Sequence, residues 1–354
     1  MTGEFSAELY KYELPPELIA QTPAARREDS RLLILRRKNN SLEHKYFRDI
    51  VDYLEPQDLL VFNDTKVLPA RLLGRKETGA RCEVFLLKQL DAARWEALVK
   101  PGRRLTSGSV VRFGADFSAV ILEKLSDGRR RVEFSFAGDF WEKLRCYGQT
   151  PLPPYIKTVT ERSRSDRLAL AERYQTVYAK TPGAAAAPTA GLHFSPELLD
   201  KIEAKGTAKT FVTLHVGTGT FQPLQTADIR EHRMHAEEYF FPEQAMQAVR
   251  ECRARGGRVI AVGTTSARVL ETAAEQILRG EKISAPQGST SLYIYPEYQF
   301  KIVDALITNF HLPGSTLLLL VSALAGREKI LAAYQEAIRQ RYRFFSFGDA
   351  MLIL

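Results

Sequence analysis

Four of the six histidines in this chain of 354 residues lie in or beside turns of small and polar residues: His193, His215, His235 and His311. Histidine titrates near neutral pH, so these side chains could move protons, bind zinc or simply form hydrogen bonds inside a packed core. Zinc ligands usually come in closely spaced pairs. His215 has no such neighbour, and His232 and His235 are three residues apart without a cysteine nearby. We therefore expect no metal site, while acid–base and structural roles both stay open for each histidine.

The turn Gly263-Thr264-Thr265-Ser266 carries three hydroxyl side chains between an apolar run, residues 258–262, and a predicted helix, residues 267–278. Free backbone N–H groups at the N-terminus of a helix attract anions, and capping the helix needs only one hydroxyl. The pattern therefore predicts a site for a carboxylate or a phosphate at this turn.

A second small-residue turn, residues 217–220, follows the apolar run 211–216. Gly217 and Gly219 would let the backbone approach a ligand, and Thr220 adds a hydroxyl, although an ordinary turn explains the same residues. Upstream, Ser195 followed by Pro196 is typical of a helix start. We expect this helix and the strand after it to bring the turns of His193 and His215 to one crevice.

Outside residues 69–151, apolar runs alternate with segments of helical periodicity. Several runs end in polar residues, such as Asn63-Asp64 and Asn309, and ligands bind α/β proteins at the carboxyl ends of the strands. The pattern predicts an α/β fold, with a larger α/β domain, residues 1–68 and 152–354, in which helices pack on a mixed sheet.

Residues 69–151 differ in sequence pattern from the rest of the chain. Short β-like runs recur between about residues 70 and 136, separated by Gly, Asp and Ser turns and without helices between them. This spacing is typical of a small barrel or sandwich. We therefore predict that residues 69–151 form a smaller, inserted, β-barrel-like domain.

The chain is basic, with a formal net charge of +8. A basic balance favours polyanionic partners, because lysine and arginine neutralise phosphates and release counterions. The candidate contacts to nucleic acid are arginines in two turns of the β-rich segment and in the polar segment after it, although solvated loops explain them as well. They are Arg103, Arg104, Arg129, Arg130, Arg131, Arg162 and Arg164.

The cysteines and the N-terminal segment bear on the cellular compartment. Cys82, Cys146 and Cys252 are few, odd in number and far apart, which fits a reducing compartment. The N-terminal segment is polar and acidic, and the longest apolar run, residues 317–325, is shorter than the roughly 20 residues of a membrane span. We therefore expect a cytoplasmic protein without a membrane partner.

Seven strings of the chain closely resemble those of one family, the S-adenosylmethionine:tRNA ribosyltransferase-isomerases of queuosine biosynthesis. They occur in the family's order and span nearly the whole chain: NDTKVLPARL (63–72), AAPTAGLHFSPELL (186–199), FVTLHVGTGTFQP (211–223), MHAE (234–237), VIAVGTTSARVLE (259–271), VDALITNFHLPGSTLLLLVSALAG (303–326) and YRFFSFGDAML (342–352). Departures from the family's usual residues are mild, namely Thr218, Ala267 and Phe347, and none removes a charged or nucleophilic group.

The resemblance implies a reaction in which S-adenosylmethionine is a consumed co-substrate. Its ribosyl part would be transferred to the 7-aminomethyl-7-deazaguanine base at the wobble position of a tRNA and rearranged to an epoxycyclopentane, while adenine and methionine leave. Such a reaction needs no metal or redox cofactor. Two other functions stay open on the residues alone, a methyltransferase-like enzyme and a tRNA-binding factor without catalysis.

The implied reaction needs a base for a ribose 5′ proton beside the sulfonium and an acid for the departing adenine. The candidates for this chemistry are two histidines and two carboxylates at strand ends: His215, His193, Asp64 and Asp349. The candidates for substrate binding are the small, polar and histidine residues of the same turns: Thr189, Gly217, Gly219, Thr220, His235, Glu237, Gly263, Thr264, Thr265, Ser266, Asn309 and His311. The sequence carries no indication of an oligomeric state.

Overall fold

The computed structural model describes residues 3–156, 164–217, 224–280 and 286–354. The chain divides into two compact units. The first, which we call the α/β unit, contains Met1–Lys66, Pro153–Thr181 and Ala187–Leu354. The second, the barrel unit, contains Val67–Leu152 and Pro182–Ala186.

The strands are short and are numbered in chain order. They are β1 (Arg31–Arg36), β2 (Ser41–Tyr46), β3 (Leu59–Asn63), β4 (Thr65–Val67), β5 (Arg71–Lys76), β6 (Arg81–Gln89), β7 (Arg94–Lys100), β8 (Val110–Gly114), β9 (Phe117–Lys124), β10 (Arg130–Phe136), β11 (Gly148–Gln149), β12 (Thr181–Ala184), β13 (Ala208–Leu214), β14 (Glu237–Phe240), β15 (Val259–Val262), β16 (Gln287–Thr290), β17 (Ala305–Asn309) and β18 (Ala350–Ile353).

The helices are numbered in the same way. They are α1 (Phe140–Tyr147), α2 (Arg164–Arg173), α3 (Pro196–Ala204), α4 (Glu243–Ala254), α5 (Thr264–Thr272), α6 (Ala274–Arg279), α7 (Thr316–Ala325) and α8 (Arg327–Arg339). Short 3₁₀ helices add to these, including Phe47–Tyr53 and Thr189–His193.

The α/β unit is built on a sheet with the strand order β16-β14-β13-β3-β15-β17-β18-β1-β2. Strands β13, β3, β15 and β17 are mutually parallel, and β3, β15 and β17 are buried along their whole length, as their nearly continuous apolar sequences predict. Strand β18 runs antiparallel to β17 and parallel to β1. The carboxyl ends of the four parallel strands therefore share one edge with the amino ends of β18 and β1. We call it the carboxyl edge.

Aromatic and aliphatic side chains hold helix α3 on the sheet. Phe62 on β3 makes an edge-to-face contact with Phe194, whose ring in turn lies edge-to-face on Phe47. The predicted helix start is confirmed: the Ser195 hydroxyl accepts a hydrogen bond from the backbone N–H of Leu198 at 3.1 Å. Capping and packing together fix α3 and the 3₁₀ helix before it against the sheet.

The barrel unit is a closed six-stranded barrel in the order β5-β6-β7-β10-β9-β8, with β8 pairing back onto β5 and β11 adding to β5. Its interior is aromatic, with Trp95, Phe117 and Phe134 around Phe140 of α1. A Cβ on Gly74 would lie 2.7 Å from the Arg112 carbonyl oxygen, so closure at β5–β8 requires glycine at this position. The structure thus resolves the predicted barrel or sandwich in favour of a barrel.

Some predicted elements differ from the observed ones. The helix predicted at 267–278 is two helices, α5 and α6. The sequence does not predict strand β2, because its residues SLEHKY are polar and it lies at the sheet edge, where no apolar pattern is needed. Within the described residues, no helix has the length and hydrophobicity that crossing a membrane requires.

Candidate functional site

The carboxyl edge gathers most of the residues that the sequence singles out. Asp64 follows β3, His215 follows β13, and the turn at Gly263 follows β15. Asn309 ends β17, and Asp349 directly precedes β18. Because adjacent strands lie about 4.8 Å apart, these side chains occupy one continuous strip of the α/β unit.

His215 is held by the turn that follows β3. Its Nδ1 lies 2.8 Å from the Thr65 hydroxyl, and Nε2 has no hydrogen-bond partner among the described residues. The amide of Asn63 links β3 to β13: it donates to the Leu214 carbonyl and accepts from the Leu214 N–H, both at 3.0 Å. Asn63 is therefore structural, and it brings His215 to the end of β3.

The environment of His215 favours its neutral form. The side chain is half-buried, and desolvation lowers the pKa of the imidazole, although the nearby carboxylates of Glu238 and Asp64 oppose this effect. Asp64 accepts a hydrogen bond from the Thr213 hydroxyl at 2.6 Å. A neutral imidazole with one free ring nitrogen can accept a proton near pH 7.

His193 lies at the other end of the strip and is buried, with 4% of its surface exposed. Its Nε2 lies 3.1 Å from the Asn309 amide nitrogen, and its Nδ1 lies 2.7 Å from the Ser30 hydroxyl. An amide NH₂ can only donate, so Nε2 is the acceptor and Nδ1 carries the proton. Ser30 accepts that proton and donates to the Arg27 carbonyl at 3.2 Å.

Burial lowers the pKa of His193 to about 3, helped by the nearby charges of Arg343 and Arg27. Its ring stacks on Phe47 at 5.0 Å between centroids. Both ring nitrogens are engaged and the ring is neutral, so the geometry of His193 is that of a positioning residue. Sequence reasoning misses Ser30, because a serine before a strand has no motif of its own.

The amide of Asn309 has a fixed orientation. Its nitrogen donates one hydrogen to His193 and the other to the Phe345 carbonyl at 3.0 Å, so a flipped amide would place two acceptors against each other. Its Oδ1 is buried and has no hydrogen-bond partner within the described ranges. A buried acceptor without a partner is costly, and such atoms at a candidate site are groups that a ligand can satisfy.

The turn at the start of α5 has the geometry that the sequence predicts for an anion site. Gly263 has φ of 89°, a conformation that favours glycine, and its N–H donates to the Ile307 carbonyl at 2.8 Å. Ser266 bonds back to the Val262 carbonyl at 3.0 Å. The Thr265 hydroxyl is buried and has no hydrogen-bond partner in the described part of the chain, while Thr264 is buried beside it. The N-cap residue of α5, Gly263, has no side chain that could cap the helix. The N–H groups of the first turn of α5 are therefore uncapped at the strip.

A buried ion pair holds the chain where it leaves His215. Glu237 accepts a hydrogen bond from the Gly217 N–H at 2.8 Å, and its other oxygen pairs with Arg268 on α5. Arg268 also donates to the Leu292 carbonyl at 3.1 Å. The sequence singles out Glu237 but not Arg268, although an arginine on an otherwise buried helix face is the available signal. Gly219 and Thr220 lie outside the described residues.

Three other candidates have identifiable surroundings. Asp349 is buried and accepts from the backbone N–H groups of Arg31 and Arg343, at 2.9 and 2.7 Å, and desolvation raises its pKa. His311 is buried, its Nε2 lies 2.8 Å from the Thr308 hydroxyl, and burial lowers its pKa to about 3. His235 is exposed. The two hydrogen bonds that Asp349 accepts fasten the start of β1 to the loop before β18.

Thr189 begins the 3₁₀ helix before His193 and is half-buried. In the described part of the chain, no three His, Cys, Asp or Glu side chains are grouped closely enough to hold a metal ion.

The arginines of the barrel unit are not equivalent. Arg129 pairs with Asp127 and Glu96, and Arg131 pairs with Glu123. Arg130 is buried and donates to backbone carbonyls, including that of Gly102 at 3.0 Å. Arg103 and Arg104 are exposed and form no ion pair with the residues that the structure describes. Arg162 lies outside the described residues, and Arg164, whose side chain is not described, begins α2.

Comparison with known proteins places the chain in one family. Residues 7–353 match the family model described as "Queuosine biosynthesis protein". The S-adenosylmethionine:tRNA ribosyltransferase-isomerase of Pelotomaculum thermopropionicum is 57% identical over 347 residues, which is 98% of each chain. The enzyme of the same name from Thermotoga maritima is 50% identical over 347 residues, again 98% of each chain.

A solved structure agrees with this relationship. The crystal structure of an S-adenosylmethionine tRNA ribosyltransferase from Thermotoga maritima matches with a TM-score of 0.55 and 42% sequence identity, covering 98% of this chain and 100% of that one. The resemblance inferred from the seven strings is thereby confirmed, and this chain belongs to the queuosine biosynthesis protein family.

Proposed function

We propose that this protein is the enzyme that transfers and isomerises the ribosyl moiety of S-adenosylmethionine onto the 7-aminomethyl-7-deazaguanine base at the tRNA wobble position. The products are epoxyqueuosine-tRNA, adenine and methionine. The observation that carries this conclusion is the similarity to enzymes of that name over 98% of both chains. S-adenosylmethionine is consumed, and the proposed reaction needs no metal or redox cofactor.

The turn at Gly263 is the proposed seat of the methionine carboxylate. The start of α5 offers uncapped N–H groups, and the partial positive charge of a helix N-terminus favours an anion. The buried Thr265 hydroxyl supports the assignment independently, because it has no partner among the described residues and a carboxylate oxygen would supply one.

His215 is the proposed general base for the ribose 5′ proton. Its pKa is lowered, so it is neutral near pH 7, and its Nε2 is free among the described residues. Thr65 would fix the ring through Nδ1, and Asp64 would stabilise the imidazolium that forms. His193 is assigned a different part: it orients the Asn309 amide, whose free oxygen would accept a hydrogen bond from the substrate.

The barrel unit is the proposed tRNA-binding element. Residues 67–152 and 182–186 contain sixteen Lys and Arg against ten Asp and Glu, so this unit carries a net +6 of the chain's +8. Of the arginines predicted to contact tRNA, Arg103 and Arg104 are exposed and without an ion pair in the described ranges, as phosphate contacts need. A tRNA substrate is also consistent with the expected cytoplasmic location.

Product analysis tests the reaction. Purified protein is incubated with S-adenosylmethionine and tRNA that carries the 7-aminomethyl-7-deazaguanine base, and the small molecules are separated. We expect adenine and methionine in equal amounts and a tRNA base heavier by the rearranged ribosyl unit. S-adenosylhomocysteine would instead indicate a methyltransferase, and the absence of any turnover would leave only a tRNA-binding protein.

A further inference from the structure

Three arginines stand side by side across three adjacent strands of the barrel unit. Arg75 on β5 lies directly opposite Arg81 on β6, and on its other side directly opposite Arg112 on β8. Residues directly opposite one another in antiparallel strands project from the same face of the sheet. All three side chains are exposed, so they form a row on the outer surface of the barrel, which we call the arginine row.

The neighbours of the arginine row do little to neutralise it. Arg112 lies 3.5 Å from Glu77, but both side chains of that pair are more than half exposed, and solvent screens such pairs strongly. Arg75 donates to the Gly79 carbonyl at 2.8 Å, which carries no charge. Arg81 has no ion-pair partner among the described residues.

Two further neighbours of the row carry no negative charge. The next residue across the barrel from Arg112 is Ser118, which is uncharged. Lys76 follows Arg75 but lies directly opposite the buried Val111, so it projects from the other face of β5, where it donates to the Arg104 carbonyl at 2.9 Å. These neighbours therefore leave the positive charge of the row without compensation.

Such a row does not serve the stability of the fold. Like charges directly opposite one another in a sheet are destabilising, whereas opposite charges in the same positions are stabilising. Arg131 of this barrel follows the favourable pattern, since it lies directly opposite Glu123 and forms an ion pair with it. A costly arrangement that persists on an exposed surface points to a ligand that removes the repulsion.

We propose that the arginine row binds successive backbone phosphates of the tRNA substrate. This proposal identifies the face of the barrel that holds the RNA, and it rests on the proposed function. The planar guanidinium group pairs with phosphate through two parallel hydrogen bonds, and three in a row match a polyanion rather than a single anion. These phosphate contacts position the RNA without reading its sequence.

The test uses a triple variant, Arg75→Gln, Arg81→Gln and Arg112→Gln, in the full-length protein. The probe is a fluorescent RNA stem–loop with the anticodon sequence of a tRNA and an unmodified guanine, and its affinity is measured at several salt concentrations. We expect the affinity to fall at least about tenfold, since each charge-assisted hydrogen bond contributes on that scale. The slope of log affinity against log salt should become shallower by roughly 0.7–0.9 for each phosphate that the variant no longer neutralises.

A matched variant controls for the loss of three charges. Arg94→Gln, Lys124→Gln and Arg145→Gln remove the same charge from the same unit at exposed positions outside the row. We expect this variant to keep the salt slope of the parent. We also expect the melting temperature of the row variant to equal or exceed that of the parent, because the repulsion is gone.

The outcomes separate this proposal from the proposed function. Unchanged affinity and slope in the row variant, or an equal weakening in both variants, overturn the arginine row as the RNA surface while adenine release by the parent still supports the reaction. If the parent binds the stem–loop but releases no adenine with the modified tRNA, the reaction fails and the binding comparison still tests the row. If the parent does not bind the stem–loop, the arginine row as an RNA surface is overturned.

Discussion

The two ends of the carboxyl edge each hold a histidine, but in different environments. At the end of β13, His215 is half-buried, has one ring nitrogen bonded to Thr65 and keeps the other free among the described residues. At the end of β17, His193 is buried, both nitrogens are engaged, and burial lowers its pKa to about 3. What a histidine can do is decided by how many ring nitrogens the fold leaves free and how much water reaches them.

The largest effect that this comparison predicts is on catalysis. Loss of a general base typically lowers the rate 10²–10⁴-fold. We expect His215→Asn to lower single-turnover adenine release by that factor with both substrates saturating, because asparagine keeps a polar group near Thr65 but cannot accept the proton. S-adenosylmethionine binding, measured by calorimetry, should change little.

The matched variant at the other end is His193→Gln, whose amide can accept from Asn309 and donate to Ser30. We expect its rate to fall less than that of His215→Asn, and its main effect to be on the affinity for S-adenosylmethionine through a misplaced Asn309. The assignment of the two histidines is reversed if His193→Gln loses the chemical step and His215→Asn keeps it.

The second prediction concerns the turn at Gly263, between the two histidines. Thr265→Val keeps the shape of the side chain and removes the hydroxyl. Losing a hydrogen bond to a charged group costs about 1.5–3 kcal/mol, so the affinity for S-adenosylmethionine should fall roughly tenfold or more. Because the hydroxyl has no partner in the part of the chain that the structure describes, the melting temperature should stay the same or rise.

Thr265→Ser, which restores the hydroxyl, is the control and should bind S-adenosylmethionine nearly as well as the parent. If Thr265→Val loses stability and keeps its affinity, the hydroxyl is structural, and the methionine carboxylate must bind elsewhere.

The ends of the strands can be predicted from the sequence. The buried parallel strands β3 and β17 are apolar runs that stop at a polar residue, so Asp64 and Asn309 can be assigned to strand ends without the structure. The regular spacing of short runs likewise indicates the barrel, because a closed sheet needs alternation and turns but no helices.

The hydrogen-bond and ion-pair partners of such residues cannot be predicted from the sequence in the same way. Whether a ring nitrogen is free depends on side chains from distant segments: Ser30 lies 163 residues from His193. The same limit applies to charge, since Arg129 looks like a free cation in sequence until Glu96, 33 residues away, is placed beside it. The arginine row is visible only once the register of β5, β6 and β8 is known.

The smallest predicted effect is on the pH dependence of stability. Burial lowers the folded-state pKa of His193 to about 3, below its ordinary value of 6.5. Between these values the unfolded chain binds a proton that the folded chain does not, so the free energy of unfolding falls as the pH drops from about 6.5 towards 3 and is unaffected by this group above 6.5. One histidine contributes a slope of up to about 1.4 kcal/mol per pH unit in that window.

We expect His193→Gln to remove this slope, with that of His311 remaining, since burial also lowers the pKa of His311 to about 3. Urea unfolding followed by circular dichroism at several pH values measures the slope. Fluorescence serves as the internal control, because both tryptophans, Trp95 and Trp141, belong to the barrel unit. An identical slope in parent and variant would show that His193 is protonated in the folded protein, and the contrast between the two ends of the carboxyl edge would then be wrong.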